Sequence, residues 1–282
     1  MTAGSTIHEA YRYSVTRLTM VGVASPQAEA WQLIEAAIGS SRSELTGNQR
    51  NLDGEERRRL EAWLARRELR EPLQFILGRA YFYGLEIPVG PGVLIPRPET
   101  ERLVEIALGA LHDYPEPAVL DLGTGSGAVA LALKSERPDA RVLATDLDGR
   151  ALAIAERNAV SLGLHLEFQQ SDLLADPRVS SFASAAKAIV SNPPYLPAGD
   201  RTIAPLELRW DPCDALYAGE DGLAVFRQLA AQAYSFLQAG SLLIVELDPR
   251  NVDRARAIAA GWSSAQVHED LAGRRRFLEL RR

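Results

Sequence analysis

From about Pro117 onward, short apolar runs alternate with helical patterns, and this alternation restricts the chain to an open, largely parallel α/β sheet. Strand Val119-Leu120-Asp121-Leu122 runs into Gly123-Thr124-Gly125-Ser126-Gly127 and a helix expected over about 128–133. A strand over 142–145 ends at Asp146, before a helix over about 150–162. A short strand near 166–168 ends at Ser171-Asp172-Leu173, and the next run, Ala188-Ile189-Val190, delivers Asn192-Pro193-Pro194-Tyr195. An irregular stretch to about Ala218 follows, then a helix over 223–237, a strand over 242–246 and a helix over about 251–260. Two final strands, 265–268 and 276–280, are joined by Asp270-Leu271-Ala272-Gly273 with no crossover helix, so they are expected to be antiparallel.

The chain ahead of this region has a different character. To about Arg70 the pattern is helical: Ser25-Pro26 reads as an N-cap with proline at the first helical position, and Trp31, Ile34 and Ile38 recur at three- to four-residue spacing. A second helix opens at Asp53 and carries Leu60, Trp63 and Leu64 inward until Glu71-Pro72 stops it. Its other face bears Arg57, Arg58, Arg59, Arg66 and Arg67, expected to be solvated, with docking of an acidic partner as the second reading. Over 72–98, aromatic and branched residues interleave with glycine, which is hairpin composition. Arg97-Pro98-Glu99-Thr100-Glu101 then leads into a helix containing Leu103, Val104, Ile106, Ala107 and Leu111. The expected organisation is a helical domain over 1–71, a β-hairpin linker over 72–98 and an α/β domain over 99–282.

Charge and cysteine content narrow the class. A net charge of −6 gives no global attraction to nucleic acid, so any such contact would need a local basic patch. The single cysteine, Cys213, forms no intrachain disulfide and fits a reducing compartment; a cytoplasmic protein is expected. No segment has the apolar length to span a bilayer, and Met1 to Val23 mixes Glu9, Arg12 and Arg17 with apolar residues at helical spacing, unlike a signal peptide. His8, His112, His165 and His268 are scattered without ligand spacing, so no metal is expected. Oligomeric state leaves no mark in the sequence, and a monomer is the default expectation.

A glycine-rich turn between strand and helix lets a ligand approach the backbone and meet the helix N-terminus. Gly123-x-Gly125-x-x-Ala128, with Asp146 about twenty residues on, also fits a dinucleotide site. Two features favour a different nucleoside. The terminal strand pair lacks a crossover helix, and a second acid, Asp172, follows the next strand, where it could accept from an adenine amino group. Asp121, Asp146 and Asp172 suit a ligand bearing positive charge and fit a pyrophosphate poorly. S-adenosylmethionine meets that description; for each acid taken singly, a cap or turn role is the alternative.

In Asn192-Pro193-Pro194-Tyr195 two prolines remove two N–H donors and stiffen the loop. What is left to face a ligand is the Asn192 side-chain oxygen and backbone carbonyls. Such a site suits a planar amide or amino-substituted base, with Tyr195 supplying a flat face; a plain Pro-Pro turn closing a strand is the alternative.

Asp121-Leu122-Gly123-Thr124-Gly125-Ser126-Gly127 with Asp146 resembles the class I S-adenosylmethionine-dependent methyltransferases, and Asn-Pro-Pro-Tyr resembles the subset that methylates planar amino or amide nitrogens. Glu71-Pro72-Leu73-Gln74, Phe82-Tyr83-Gly84, the run from Pro91 to Glu101 and Ser191 to Tyr195 together look like the peptide chain release factor glutamine N5-methyltransferase family (PrmC, formerly HemK), over nearly the whole chain. The resemblance implies a Rossmann-like methyltransferase sheet, mostly parallel with an antiparallel last strand, behind an N-terminal helical domain that helps grip the release factor. It implies that Gly123, Thr124, Gly125, Ser126 and Gly127 hold the methionine end of S-adenosylmethionine, Asp146 the ribose, and Asp172 and Leu173 the adenine. Asn192, Pro193, Pro194 and Tyr195 would seat the glutamine of a Gly-Gly-Gln loop, with Asn192 also lying at the donor and Asn192 and Pro193 accepting the amide hydrogens. One departure stands out: the family commonly has glycine and glutamine where this chain has Asp248 and Asn251. That segment is expected to affect local packing or the rim of the donor pocket. The rival readings are an N-methyltransferase acting on adenine or guanine in nucleic acid, a nicotinamide-dependent oxidoreductase, and a non-catalytic module that keeps the donor pocket.

Overall fold

The computed structural model describes residues 5–45 and 50–282; residues 1–4 and 46–49, part of the stretch expected to be helical, lie outside the described residues. The chain divides into two compact units, Met1–Arg79 with Pro205–Trp210 and Ala80–Ala204 with Asp211–Arg282.

The first unit is helical: α1 (Ile7–Met20), α2 (Pro26–Ile38), α3 (Arg42–Leu45), α4 (Gly54–Glu68) and α5 (Leu73–Leu77). Two capping boxes start its long helices. Thr6 and Glu9 exchange hydrogen bonds at α1, as do Asp53 and Glu56 at α4, so the exposed first-turn N–H groups are satisfied. Gly39, left-handed at φ 74°, closes α2 where a side chain would be strained. The core is made by Ile7, Ala10 and Leu18, by Ala30, Leu33, Ile34 and Ala37, and by Leu60, Leu64, Leu73 and Ile76; Trp31 and Trp63 pack partly buried at its margin. Each buried leucine or isoleucine contributes roughly 1.5–3 kcal/mol.

Two expectations for this region fail. Residues 73–77 are helical, not extended: Pro72 opens the turn and Gly78 closes it at φ 72°, and a five-residue helix is too short to show a period against its β-prone Phe75 and Ile76. Nor is the arginine face of α4 uniformly solvated. Arg67 is only 3% exposed and donates to Glu29 (2.6 Å) and to Glu207 (3.0 Å), the latter on the Pro205–Trp210 segment. Arg66 pairs with Glu71 at 2.6 Å. Paired carboxylates that lie far away in sequence let an arginine be buried on a helix whose composition alone reads as exposed.

The second unit begins at Ala80, within a hairpin of β1 (Arg79–Phe82) and β2 (Leu85–Pro88). Tyr83 and Gly84 turn it with φ 48° and 77°, the twist that suits a two-residue hairpin, and the Tyr83 N–H donates to Glu101 (2.9 Å). A 3₁₀ turn (Pro98–Thr100) enters α6 (Glu101–Ala110). The sheet then grows through β3 (Ala118–Leu122), α7 (Ala128–Glu136), β4 (Arg141–Asp146), α8 (Gly149–Leu162), β5 (Glu167–Gln170), α9 (Pro177–Ala185), β6 (Ala188–Ser191), α10 (Ala224–Phe236), β7 (Leu242–Glu246), α11 (Val252–Ile258), β8 (Ser264–Glu269) and β9 (Arg275–Arg281). Its order is β5-β4-β3-β6-β7-β9-β8, with β5 to β7 parallel and β9 inserted antiparallel between β7 and β8. The mostly parallel sheet and antiparallel last strand are as expected.

Helix α9 was not legible. Asp176 caps it and Pro177 takes its first position, yet its buried positions are only Val179 and Ala183, diluted by serines. With α10 and α11 it covers one face of the sheet, over Leu120, Ile189, Leu243 and Leu278; α6, α7 and α8 cover the other. Burial on both faces is why the central strands read as continuous apolar runs.

Candidate active site

Strand register builds the site. Leu122 pairs with Thr145 on one side and Ser191 on the other, and Asp146 pairs with Gln170. The glycine loop, Asp146, Ser171-Asp172 and Asn192 therefore leave the sheet side by side at the carboxyl ends of β3, β4, β5 and β6. Between β3 and β6 the strand order reverses, and ligands in open α/β sheets bind at that crevice.

The glycine loop is backbone-made. Gly123 and Gly125 adopt φ 72° and 56°, and a Cβ on either would meet nothing within 4 Å, so the loop faces open space. Gly127 differs: a Cβ there would lie 3.1 Å from Ala155 and from Leu131, so this glycine allows close helix packing. Thr124 and Ser126 turn inward. The Thr124 hydroxyl donates to Asp121 (2.7 Å), and the Ser126 carbonyl accepts from Asn158 (2.8 Å), which also donates to the Pro88 carbonyl (3.0 Å). Asn158 is a buttress the sequence did not single out. Of this loop, a ligand meets only main chain.

The loop's N–H groups are also committed. Those of Gly123 and Thr124 donate to the Thr145 carbonyl (2.9 and 2.8 Å), and that of Gly125 to Asp146 Oδ2 (2.8 Å). Little donor capacity remains for a pyrophosphate, while two carboxylates lie beneath. Burial pushes the fully enclosed Asp121 up to about 7, against the Thr124 hydrogen bond. Asp146 is also raised by burial, opposed by N–H donation from Asp148 and Gly125. Each Asp146 oxygen accepts one backbone bond, leaving lone pairs free to accept from a ligand hydroxyl. An open glycine cradle over acidic groups fits a cationic nucleoside such as S-adenosylmethionine. Asp172 is exposed, and Leu173 is held at φ 50°, a left-handed conformation costly for a branched side chain, with its carbonyl taking the Ser171 hydroxyl (2.8 Å).

The acceptor loop is organised by side chains instead. Asn192 Nδ2 donates to Thr100 Oγ1 (3.1 Å), Thr100 donates to Glu246 Oε2 (2.7 Å), and the Tyr195 hydroxyl donates to Glu246 Oε1 (3.2 Å). Glu246 is buried, which raises its pKa against the opposing Thr100 bond, the charge of Arg276 and the Tyr195 bond. Arg276 sits 3.6 Å away and is itself anchored on Asp270 (3.3 Å). Tyr195 is pushed well above the usual phenol range, first by burial and then by Glu246, so its hydroxyl remains a donor. Asn192 Oδ1 is buried and has no hydrogen-bond partner among the described residues. Leaving such an acceptor unmet costs roughly 1–3 kcal/mol, which marks it as aimed at a ligand.

Behind this loop, Gly222 approaches so closely that a Cβ would sit 2.2 Å from the Tyr195 carbonyl oxygen. Asp211, almost fully enclosed, pairs with Arg97 (2.6 Å) and fixes the segment before Thr100. Thr100, Glu246 and Gly222 escaped the sequence reading, since each matters through partners far away in the chain; only Thr100 lay inside a quoted motif. The departing segment makes local contacts. Asp248 takes the Arg250 N–H (2.8 Å), and Asn251 donates to the Asp221 carbonyl (2.7 Å), beside Gly222. The segment thus packs locally beside Gly222, which backs the Asn192 loop. Trp210 and Cys213 lie on exposed 3₁₀ turns, Trp210 in the first unit. Among the described residues no cluster of metal ligands is gathered, and no helix is long and apolar enough to cross a membrane.

Comparison with known proteins adds a second line of support. Residues 9–78 match the PrmC N-terminal domain and residues 103–205 the methyltransferase small domain. The chain is 44% identical to the release factor glutamine methyltransferase of Deinococcus radiodurans, across 95% of this chain and 96% of that one. It is 40% identical to that of Streptomyces coelicolor, across 94% of each. Among solved structures it is similar to the hMettl16 catalytic domain in complex with an RNA hairpin, at 14% identity over 83% of each chain and a TM-score of 0.58. It also resembles the 16S rRNA N2 G1207 methyltransferase of T. Thermophilus, at 20% identity over 72% of this chain and 49% of that one, with a TM-score of 0.52. Those two likenesses establish the fold.

Proposed function

Because the chain belongs to the family of release factor glutamine methyltransferases, we propose that Asn192 and Pro193 seat the N5 amide of the glutamine in a release factor's Gly-Gly-Gln loop. The enzyme is an S-adenosylmethionine-dependent methyltransferase. The unmet, buried Asn192 Oδ1 carries the reading: it is the acceptor that an amide N–H requires.

The chemistry has one main obstacle. An amide nitrogen is a poor nucleophile because its lone pair is delocalised, as its rotation barrier of about 18–20 kcal/mol shows. Asn192 Oδ1 and the Pro193 carbonyl accept the two amide hydrogens and so favour the positive charge that develops on nitrogen. Pro193 and Pro194 stiffen the loop, and Gly222 backs it, so these acceptors stay in place. Tyr195, tied to Glu246, keeps its ring beside the amide plane. Across the crevice, the glycine loop would hold the methionine end of the donor, Asp146 its ribose, and Asp172 with Leu173 its adenine. When bound, the donor supplies a methyl group on a sulfonium centre. Holding nitrogen and carbon in line contributes up to roughly 7–11 kcal/mol, and the alkylated amide then sheds its proton to water.

Release factors act in the cytoplasm, where a chain with one unpaired cysteine is at ease. A nucleic-acid substrate is not called for, given the net charge of −6. Incubation of a release factor with enzyme and donor, followed by peptide mass spectrometry, is expected to show one added methyl group on the Gly-Gly-Gln glutamine. A parallel arm offers RNA and DNA; methylation there, and none on the release factor, would overturn the reading.

A further inference from the structure

An asparagine carboxamide is nearly symmetric in shape, and turned over it would present Nδ2 to the target amide. A donor facing the two amide hydrogens would repel what the site has to bind. Something must therefore decide which end of Asn192 looks into the crevice.

We propose that Thr100 and Glu246 are positioning residues that make this decision by fixing the direction of a hydrogen-bond chain. The carboxylate of Glu246 is acceptor-only, and it takes the Thr100 hydroxyl proton at 2.7 Å. With its one proton committed, Thr100 Oγ1 offers only lone pairs to its other neighbour. Asn192 meets those lone pairs with Nδ2, at 3.1 Å, so Oδ1 is left facing the site. The Tyr195 hydroxyl closes on the other carboxylate oxygen at 3.2 Å, and Arg276 lies 3.6 Å from it, so charge and donors both oppose the protonation that burial favours and keep Glu246 an acceptor.

A second observation supports the assignment. Thr100 ends the 3₁₀ turn and enters α6 with helical backbone angles (φ −67°, ψ −17°), so its side chain makes no cap hydrogen bond and its hydroxyl is available to groups elsewhere in the fold. Its hydroxyl is committed to Asn192 and Glu246, 92 and 146 residues further along the chain. The inference rests on Asn192 accepting from the target amide, as proposed above.

The test uses the full chain with release factor and S-adenosylmethionine, measuring single-turnover methylation, donor Kd by calorimetry and thermal unfolding. Thr100→Val keeps the shape but removes the hydroxyl; its methyl-transfer rate is expected to fall at least about tenfold, with donor Kd within about threefold. Thr100→Ser restores the hydroxyl and should recover most of that rate. Glu246→Gln, which can donate to Thr100 and reverse the chain, should also lose about tenfold or more while remaining folded. In the Asn192→Ala background Thr100→Val should cost nothing further, because there is no amide left to orient. A wild-type rate with either Thr100→Val or Glu246→Gln overturns the inference, as does a Thr100→Val loss that Thr100→Ser fails to recover. Should wild-type enzyme leave the release factor unmethylated, the functional reading itself fails, and the two failures are thereby distinguished.

Discussion

The two loops that meet at the crevice are built on opposite plans. The glycine loop presents main chain: Thr124 and Ser126 point inward, and its shape is held by neighbours on β3 and β4, with Thr145 and Asp146 taking its N–H groups. The Asn192 loop presents a side chain whose orientation depends on Thr100 and Glu246, from distant parts of the second unit. A backbone cradle tolerates many sequences provided glycine supplies the dihedral angles, whereas a side-chain acceptor fails when one remote partner changes. Binding the donor and activating the acceptor are therefore separable, and substitutions should divide accordingly.

The largest effect is expected at the acceptor. Asn192→Ala should lower single-turnover methylation by about 10²–10³-fold, the range seen when one preorganised polar group is removed from a reacting centre. Donor affinity by calorimetry should stay within a few-fold; near-normal turnover would remove Asn192 from the mechanism.

A pair of glycines sharpens the contrast. Gly222→Ala and Gly123→Ala carry similar strain of about 1–2 kcal/mol, since both residues have positive φ (74° and 72°). Only the Gly222 Cβ meets a neighbour, 2.2 Å from the Tyr195 oxygen. Gly222→Ala should therefore lower kcat about tenfold or more, while Gly123→Ala acts chiefly on donor Kd. Equal losses of kcat would contradict the division.

Next comes Asp146→Ala, which removes the proposed ribose acceptor and frees the Gly125 N–H. Donor Kd should rise about tenfold to a hundredfold, because hydrogen bonds to charged groups contribute roughly 1.5–3 kcal/mol. The rate at saturating donor should change little, and an unchanged Kd would count against the ribose role.

The last effect concerns stability and leaves function aside. Asp121 is raised from 3.8 to about 7 by burial, so the folded protein binds a proton that the unfolded chain has released. Its contribution to stability is thus fullest below pH 4, declines as pH rises toward 7 and is flat above. Asp121→Asn removes that dependence. Without donor, the stability difference between variant and wild type should shift in the variant's favour by about 2–3 kcal/mol from pH 5 to pH 8, at 1.36 kcal/mol per unit. Parallel unfolding curves at the two pH values would refute the buried charge.

Much of this protein is legible in its sequence. The strand–helix alternation, the glycine loop, Asp146 and Asn-Pro-Pro-Tyr are local patterns, written by period, turn chemistry and proline stiffness within a few residues. Where period was weak the reading failed, as at 73–77, too short to repeat, and at α9, whose inward positions are small. Arg67 failed for another reason, because its burial depends on Glu29 and Glu207, which no local pattern connects to it.

Sequence alone determined that an asparagine amide stands on a proline-stiffened loop after one strand and a glycine-rich turn after another. Which end of that amide faces the crevice was decided only by tertiary structure. The two ends differ by the direction of one hydrogen bond, and that direction is set by a buried carboxylate on β7 acting through a threonine at the start of α6. Hydrogen-bond polarity passes through space between groups in contact, so no reading of neighbours along the chain could supply it.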